Sequence, residues 1–294
     1  MNKKYESAGL IKKPTDIPLR GWKVIGLQVK DEIGENNVSI ISAGVAFYAF
    51  LAVFPAIGAL VSIYGLAMDP QSLQGQLERI AQVMPQQAFE IIQAQLEQLV
   101  NTSGSALSWS LVIGILLSLW SANKGTKSLF TGLDIAYDTN KTRGFIKQNA
   151  LTLLYTLLAV LVIIISIAVI VVFPIIVGYL GLPSNIETLI GYGRWIILAA
   201  LVIYFVGAVY KYAPAKRTPE FRWVLPGALL ATFLWLLASW GFSFYVKNFG
   251  SYGEVYGSIS AVVVLLLWLF LTSFIILIGA ELNSEIEKYA RLRS

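Results

Sequence analysis

Few side chains in this chain could do chemistry. Histidine and cysteine are both absent. Their absence removes Ser-His-Asp and Cys-His catalysis, thiolate and disulfide chemistry, and metal sites built on imidazole or sulfur. No Gly-x-x-x-x-Gly-Lys-Ser/Thr phosphate loop occurs. What remains is a small set of charged or phenolic groups beside apolar runs: Glu281, Glu254, Lys124, Asp134, Tyr48 and Tyr256. Glu254 and Glu281 bracket one such run. If it is a single helix, its roughly 27 residues at about 1.5 Å each hold the two carboxylates about 40 Å apart, too far for an acid/base pair. No catalytic residue, metal site or cofactor is therefore expected. Isolated ionisable groups at the edge of lipid suit a gate, an ion-coupling step or a substrate pathway.

Each of these groups also has a plainer explanation. Glu281 follows Gly279-Ala280 directly, where a carboxylate opposes the helix dipole. It either pairs with a basic residue of another connection or belongs to a solvated helix face running on through Glu285 and Lys288. Glu254 sits among Gly250, Gly253 and Gly257 with Tyr252 and Tyr256. That pattern fits a solvated outer turn as well as a substrate-facing re-entrant edge. Lys124 follows Trp120-Ser121-Ala122-Asn123. If its helix extends towards Leu133, the lysine needs a partner such as Asp134 or Glu281; if the helix ends there, it is one more surface charge.

The elements that must position these groups are apolar. Six stretches approach the roughly 20 residues that cross a bilayer: Ile40–Leu66, Ala106–Ala122, Ala150–Gly181, Trp195–Tyr210, Trp223–Val246 and Val255–Ala280. Continuous apolar runs select helices over a barrel. The expected fold is all-α, a polytopic membrane protein of six transmembrane helices. Charged residues are 13% of the chain, about half the share usual in soluble domains. The first apolar run begins near residue 40 and is too long for a cleavable signal peptide.

Basic residues set the expected orientation. Nineteen of the 22 Lys and Arg fall in the N-terminal lead, the 2–3 and 4–5 connections and the C-terminal tail. Only Arg79, Arg194 and Lys247 fall on the opposite side. By the positive-inside rule both termini are cytoplasmic. The net charge of +5 follows from this asymmetry and gives no reason to expect nucleic acid.

Three divisions follow. Residues 1–38 form a cytoplasmic lead, 39–283 the transmembrane domain and 284–294 a cytoplasmic tail. In the lead, Leu19, Trp22, Ile25, Val29 and Ile33 recur at helical spacing among Arg20, Lys23 and Lys30. This predicts a basic amphipathic helix on the cytoplasmic leaflet, either an anchor or a lipid-headgroup site. The outer segment 69–105 shows two apolar stripes, Leu73, Leu77, Ile80, Met84 and then Ala88, Ile92, Leu96, Leu99, hinged at Pro85. Pro55, Pro174 and Pro226 fall inside spans and predict kinks, either as shape or as breaks around a central cavity. Gly44, Gly58, Gly227 and Ala231 allow close helix approach and leave an oligomer open.

Several motifs in order resemble the YihY/BrkB family of bacterial inner-membrane proteins. They are Ala46-Phe47-Tyr48 with Phe54-Pro55, Leu119-Trp120-Ser121 with Lys124-Gly125, and Tyr210-Lys211-Tyr212-Ala213-Pro214. Pro226-Gly227-Ala228 follows, then Tyr256-Gly257-Ser258 opening a helix that closes on Gly279-Ala280-Glu281-Leu282-Asn283. The likeness runs from about Asp16 to Lys288, and the outer segment and both tails match least. The resemblance implies six spans, and it brings an old ribonuclease BN label and a virulence label linked to serum resistance. The residues argue against the ribonuclease, which needs grouped acid/base or metal-binding side chains.

The expected function is a transporter, or a translocator of lipid or another amphiphile, without its own ATPase. The alternative is a non-transporting envelope scaffold or assembly factor. Expected partners are membrane lipids and a small solute or amphiphile, with no nucleic acid.

Overall fold

The computed structural model describes residues 13–67, 104–139, 143–179, 184–215, 219–248 and 258–292. Every regular element among them is helical. After a single 3₁₀ turn at Pro14–Asp16 come α1 (Leu19–Glu35), α2 (Val38–Ala67), α3 (Gly104–Ala136) and α4 (Phe145–Ile167). A π turn at Ala168–Val172 leads into α5 (Phe173–Tyr179), and α6 (Ser184–Tyr212), α7 (Phe221–Asn248) and α8 (Ser258–Arg291) follow. Glu254, Tyr256 and the outer segment up to residue 103 lie outside the described residues.

Five stretches are long and apolar enough to cross a membrane: Val38–Ala59, Phe145–Ile170, Leu189–Tyr212, Phe221–Tyr245 and Ser260–Arg291. α3 is not among them. Its apolar run, Ala106–Ala122, is only 17 residues long and stops at Asn123-Lys124, so the described residues support five of the six expected spans. Little of the apolar surface is buried within the chain. Ile163, Ile164, Ile196, Ile197, Phe233 and Trp240 are all exposed, as side chains facing hydrocarbon must be.

The residues sort into two compact units. One comprises Met1–Ala43, Thr126–Gly241 and Phe270–Ser294, the other Gly44–Gly125 and Phe242–Leu269. The first holds the main core, with Phe130, Leu133, Tyr210, Val224 and Leu277 at its centre. A satellite core in the same unit gives the apolar stripe of α1 a protein partner. Ile25 and Val29, with Trp22 and Ile33 beside them, pack on Ile286, Tyr289 and Ala290 of α8. A protein surface competes with lipid for an apolar stripe, and α8 continues far enough to supply one. Gly21 makes the fit, since a Cβ there would sit 2.6 Å from the Tyr289 hydroxyl oxygen.

The three prolines act on the backbone in different ways. Pro174 follows the π turn, where the Phe173 N–H bonds back five residues to the Ala168 carbonyl. The wider turn accommodates a ring that cannot donate and that would crowd the preceding turn. Pro55 and Pro226 lie within α2 and α7.

Candidate functional site

The site forms in the first unit where α7 and α8 cross. A Cβ at Gly227 would lie 2.0 Å from the Gly279 carbonyl oxygen, and one at Gly279 would lie 2.6 Å from the Gly227 carbonyl oxygen. Only glycine at both positions lets the two backbones meet. Tyr210 of α6, fully buried, donates its hydroxyl to the Ile276 carbonyl at 2.6 Å and holds a third helix to the same turn of α8. One turn further along α8, Asn283 reaches the α7 backbone on both sides of Pro226. Its Oδ1 accepts from the Gly227 N–H at 2.7 Å, and its Nδ2 donates to the Val224 carbonyl at 3.0 Å. The side chain thus satisfies backbone groups beside a residue that disrupts the helical ladder.

Beside this crossing lies a polar cluster. Glu281 is 1% exposed and Glu285 2% exposed. Both are buried, against the solvated face that the sequence allowed, because α1 packs over this end of α8. α1 reaches its place through a two-residue turn. The Asn36 N–H closes the last turn onto the Glu32 carbonyl, and Asn37 takes a left-handed conformation, φ 52°, which asparagine tolerates better than most residues. The turn aims the Asn36 side chain at α8. Its Nδ2 donates to Glu281 Oε1 and to Glu32 Oε2, each at 3.0 Å. Glu281 Oε2 is buried and has no hydrogen-bond partner among the described residues. The expected basic partner for Glu281 is therefore replaced by a neutral amide.

Lys288 is engaged elsewhere. Its Nζ lies 2.9 Å from Asp138, 3.2 Å from Glu32 and 2.8 Å from Glu285. The last is an ion contact rather than an aligned hydrogen bond. Four carboxylates and one ammonium thus share this end of the unit. Beside them the Tyr137 hydroxyl is held above its ordinary pKa, chiefly by burial. Among the described residues no three of His, Cys, Asp and Glu are arranged to hold a metal ion.

A second construction closes α6. Arg143, just before α4, donates to the carbonyl of the last α6 residue, Tyr212, at 3.0 Å and to the next two, Ala213 at 2.5 Å and Pro214 at 2.8 Å. A guanidinium here satisfies orphan carbonyls and complements the helix dipole. Asp134 secures the next residue by accepting the Ala215 N–H at 2.7 Å. Burial pushes the Asp134 carboxyl above its ordinary value, against the lowering effects of that N–H and of Arg143.

Of the other expected site residues, Tyr48 and Lys124 belong to the second unit, and Glu254 and Tyr256 lie outside the described residues. Lys124 stands over the Trp120 ring of its own helix, 5.6 Å from the centroid; Asp134 and Glu281 have the partners given above. Tyr48 contributes its carbonyl, which accepts from Ser121 Oγ at 2.9 Å, while its ring meets Phe47 edge-on. Sequence reasoning missed Asn36, the role of Asn283 and the Arg143 cap. Asn-Asn is an ordinary turn signal. In sequence Arg143 reads only as one of the inside-positive charges, since its acceptors are 69 to 71 residues away.

Known proteins resemble this chain over most of its length. The family model of virulence factor BrkB matches residues 29–294. A ribonuclease-like protein of Bacillus subtilis, YfkH, is 30% identical over 256 residues, covering 85% of this chain and 90% of that protein. A UPF0761 membrane protein of Xanthomonas axonopodis pv. citri is 38% identical over 104 residues, 33% of this chain and 24% of that protein. No solved structure matches.

Proposed function

The chain belongs to the virulence factor BrkB family of membrane proteins, and from that premise we propose that it translocates lipid or another amphiphile without an ATPase of its own. In this reading it sits in the bacterial inner membrane with both termini in the cytoplasm, as the basic asymmetry requires. The observation that carries the reading is Glu281: a buried carboxylate with a free oxygen, beside a proline-kinked helix, in a chain whose spans are otherwise nearly uncharged. An ionisable group so placed is costly, and its usual return is a pathway or a gate. Glu281 is the leading gate residue, with Asp134, Lys124, Tyr48, Glu254 and Tyr256 as further pathway positions. The ribonuclease wording belongs to the name of YfkH.

The test is reconstitution in liposomes with a fluorescent lipid. Wild-type protein is expected to move the lipid between leaflets. Glu281→Gln, inserted to the same level, is expected to lower the rate about tenfold or more, a barrier change of about 1.4 kcal/mol. Equal rates would remove Glu281 from the pathway, and no wild-type movement would remove lipid as cargo.

A second reading, a non-transporting envelope scaffold, is favoured by the outward face of α1. There Arg20, Lys23 and Lys30 stand beside exposed Leu19 and Leu27. Recovery of one stoichiometric partner, lost on reversing those charges and with no flux from the purified protein, would select it.

A further inference from the structure

Uphill movement of an amphiphile requires a coupled ion, and the translocator reading above, on which this step rests for its purpose, does not name one. The charges at the Glu281 end of the first unit do. Lys288 provides one positive charge and is already in contact with Glu32, Asp138 and Glu285. Glu281 is the fourth carboxylate and has none of that ammonium within contact distance. Its Oε1 accepts from the Asn36 amide, which it shares with Glu32. Its Oε2 is buried with no partner among the described residues.

The groups facing Glu281 from every packed element make the imbalance plain. α1 presents Glu32 and Asn36, and the end of α3 presents Tyr137 and Asp138. α8 itself adds Glu285, Lys288 and Glu287, the last paired with Arg291 at 2.5 Å. α6 adds the Tyr210 hydroxyl, which is bonded to a carbonyl. α7 adds the Val224 and Gly227 backbone groups, both taken by Asn283. A charged Glu281 would be a buried anion held by one neutral donor among other carboxylates, the arrangement that desolvation and like-charge repulsion most disfavour. A neutral carboxyl relieves both and turns the orphan Oε2 into a donor.

We propose that Glu281 is a proton-binding site, neutral while α1 is closed over α8 with its proton on Oε2, and ionised when that contact opens. In the opening step the Oε2–H bond breaks, the electron pair stays on the carboxylate and the proton passes to water. The Asn36-Asn37 turn couples the proton to motion. α1 connects to α2 through these two residues alone, so a swing of α1 withdraws Asn36 and Glu32 together and hydrates Glu281. The coupled ion is then the proton, loaded in the closed state and released in the open one.

The test is infrared difference spectroscopy on the full chain in a lipid bilayer, following the carboxyl C=O stretch as pH is raised. The expected result is a protonated-carboxyl band that persists at neutral pH and disappears at alkaline pH. Glu281→Gln removes the band and Glu285→Gln retains it. Asn36→Leu removes the donor that favours the charged form, so its band survives to higher pH than in wild type. That variant carries the test if Glu281→Gln fails to insert. Absence of the band from wild type at neutral pH, its persistence in correctly inserted Glu281→Gln, or an unshifted titration in Asn36→Leu would overturn the proposal. Lipid movement without the band overturns the proton site and leaves the translocator. The band without lipid movement supports the site and overturns the translocator.

Discussion

Proline falls inside a long apolar helix in each of the two units, and the surroundings of the two prolines differ in chemistry. At Pro55 in the second unit the neighbours are small and uncharged. A Cβ on Gly114 would lie 2.8 Å from the Pro55 carbonyl oxygen, so α3 approaches the kink through a glycine. Ser121 of the same helix donates to the Tyr48 carbonyl a little earlier in α2. At Pro226 in the first unit the partner helix brings an asparagine to the backbone, and the same helix carries a buried carboxylate two residues before it. A kink alone needs only close packing and a hydroxyl. The amide and the carboxylate beside Pro226 go beyond that, and the proposed gate rests on them.

The largest effect should come from filling the glycine contacts. Gly227→Ala drives a methyl into the Gly279 carbonyl and should cost about 3 kcal/mol or more, or prevent folding altogether. Gly114→Ala meets backbone at a longer distance and should cost about 1–2 kcal/mol. Gly58→Ala, with no atom within 4 Å of the new Cβ, is the control and should be tolerated. Thermal unfolding in detergent ranks the three, and equal midpoints would erase the difference between the kinks.

Next in size is the loss of the side chains that serve each kink. Asn283→Leu removes two interhelical hydrogen bonds, to the Gly227 N–H and the Val224 carbonyl, about 0.5–1.5 kcal/mol for each. Ser121→Ala removes one interhelical bond, about 0.6 kcal/mol by the average for membrane proteins. Denaturant titration of the two variants side by side should show the first clearly less stable; the reverse order would move the critical closure to Pro55.

Arg143→Ala releases three carbonyls at a partly exposed position and should cost about 1–2 kcal/mol after solvent screening. Hydrogen exchange at residues 209–215 would report it as local opening of the α6 end, and unchanged protection there would mean that the cap is redundant.

Asp134→Asn should have the smallest effect and a definite sign. The native carboxyl is raised above its ordinary value, chiefly by burial, so the folded state binds its proton more tightly than the unfolded chain. Its contribution to stability is therefore greatest below the ordinary aspartate range and is lost as pH rises through the native value. Asparagine keeps an acceptor for the Ala215 N–H and cannot ionise. The variant should unfold no earlier than wild type at neutral pH, with the difference closing in acid. A midpoint well below wild type at neutral pH would show that the attraction to Arg143 outweighs burial.

Much of the fold was legible because membrane crossing imposes a simple pattern. Runs of about 20 apolar residues become helices whatever their neighbours, since lipid offers the backbone no partner. Five of the expected spans follow from that rule. α3 strains it, because its apolar run is short and a polar half follows in the same helix. The stripe of α1 was legible as amphipathic, but not what it would cover. Hydrophobic spacing names a buried face and leaves its partner open, and α8 supplied that partner. Glu281 was visible as a candidate, yet a carboxylate after Gly279-Ala280 reads equally as surface or site.

The amino-acid sequence by itself determined that this is a helical membrane protein without histidine or cysteine chemistry, with its basic residues segregated by connection and with three prolines inside its spans. These properties depend on composition and local periodicity, which the chain carries without folding. Only the tertiary structure decided that Glu281 is buried and that Asn36 is its partner, 245 residues away. It also decided that Gly227 meets Gly279 and that Arg143 caps a helix it does not belong to. Those relations are set by helix packing in three dimensions, where one bare Cα or one left-handed turn determines which side chains share a site.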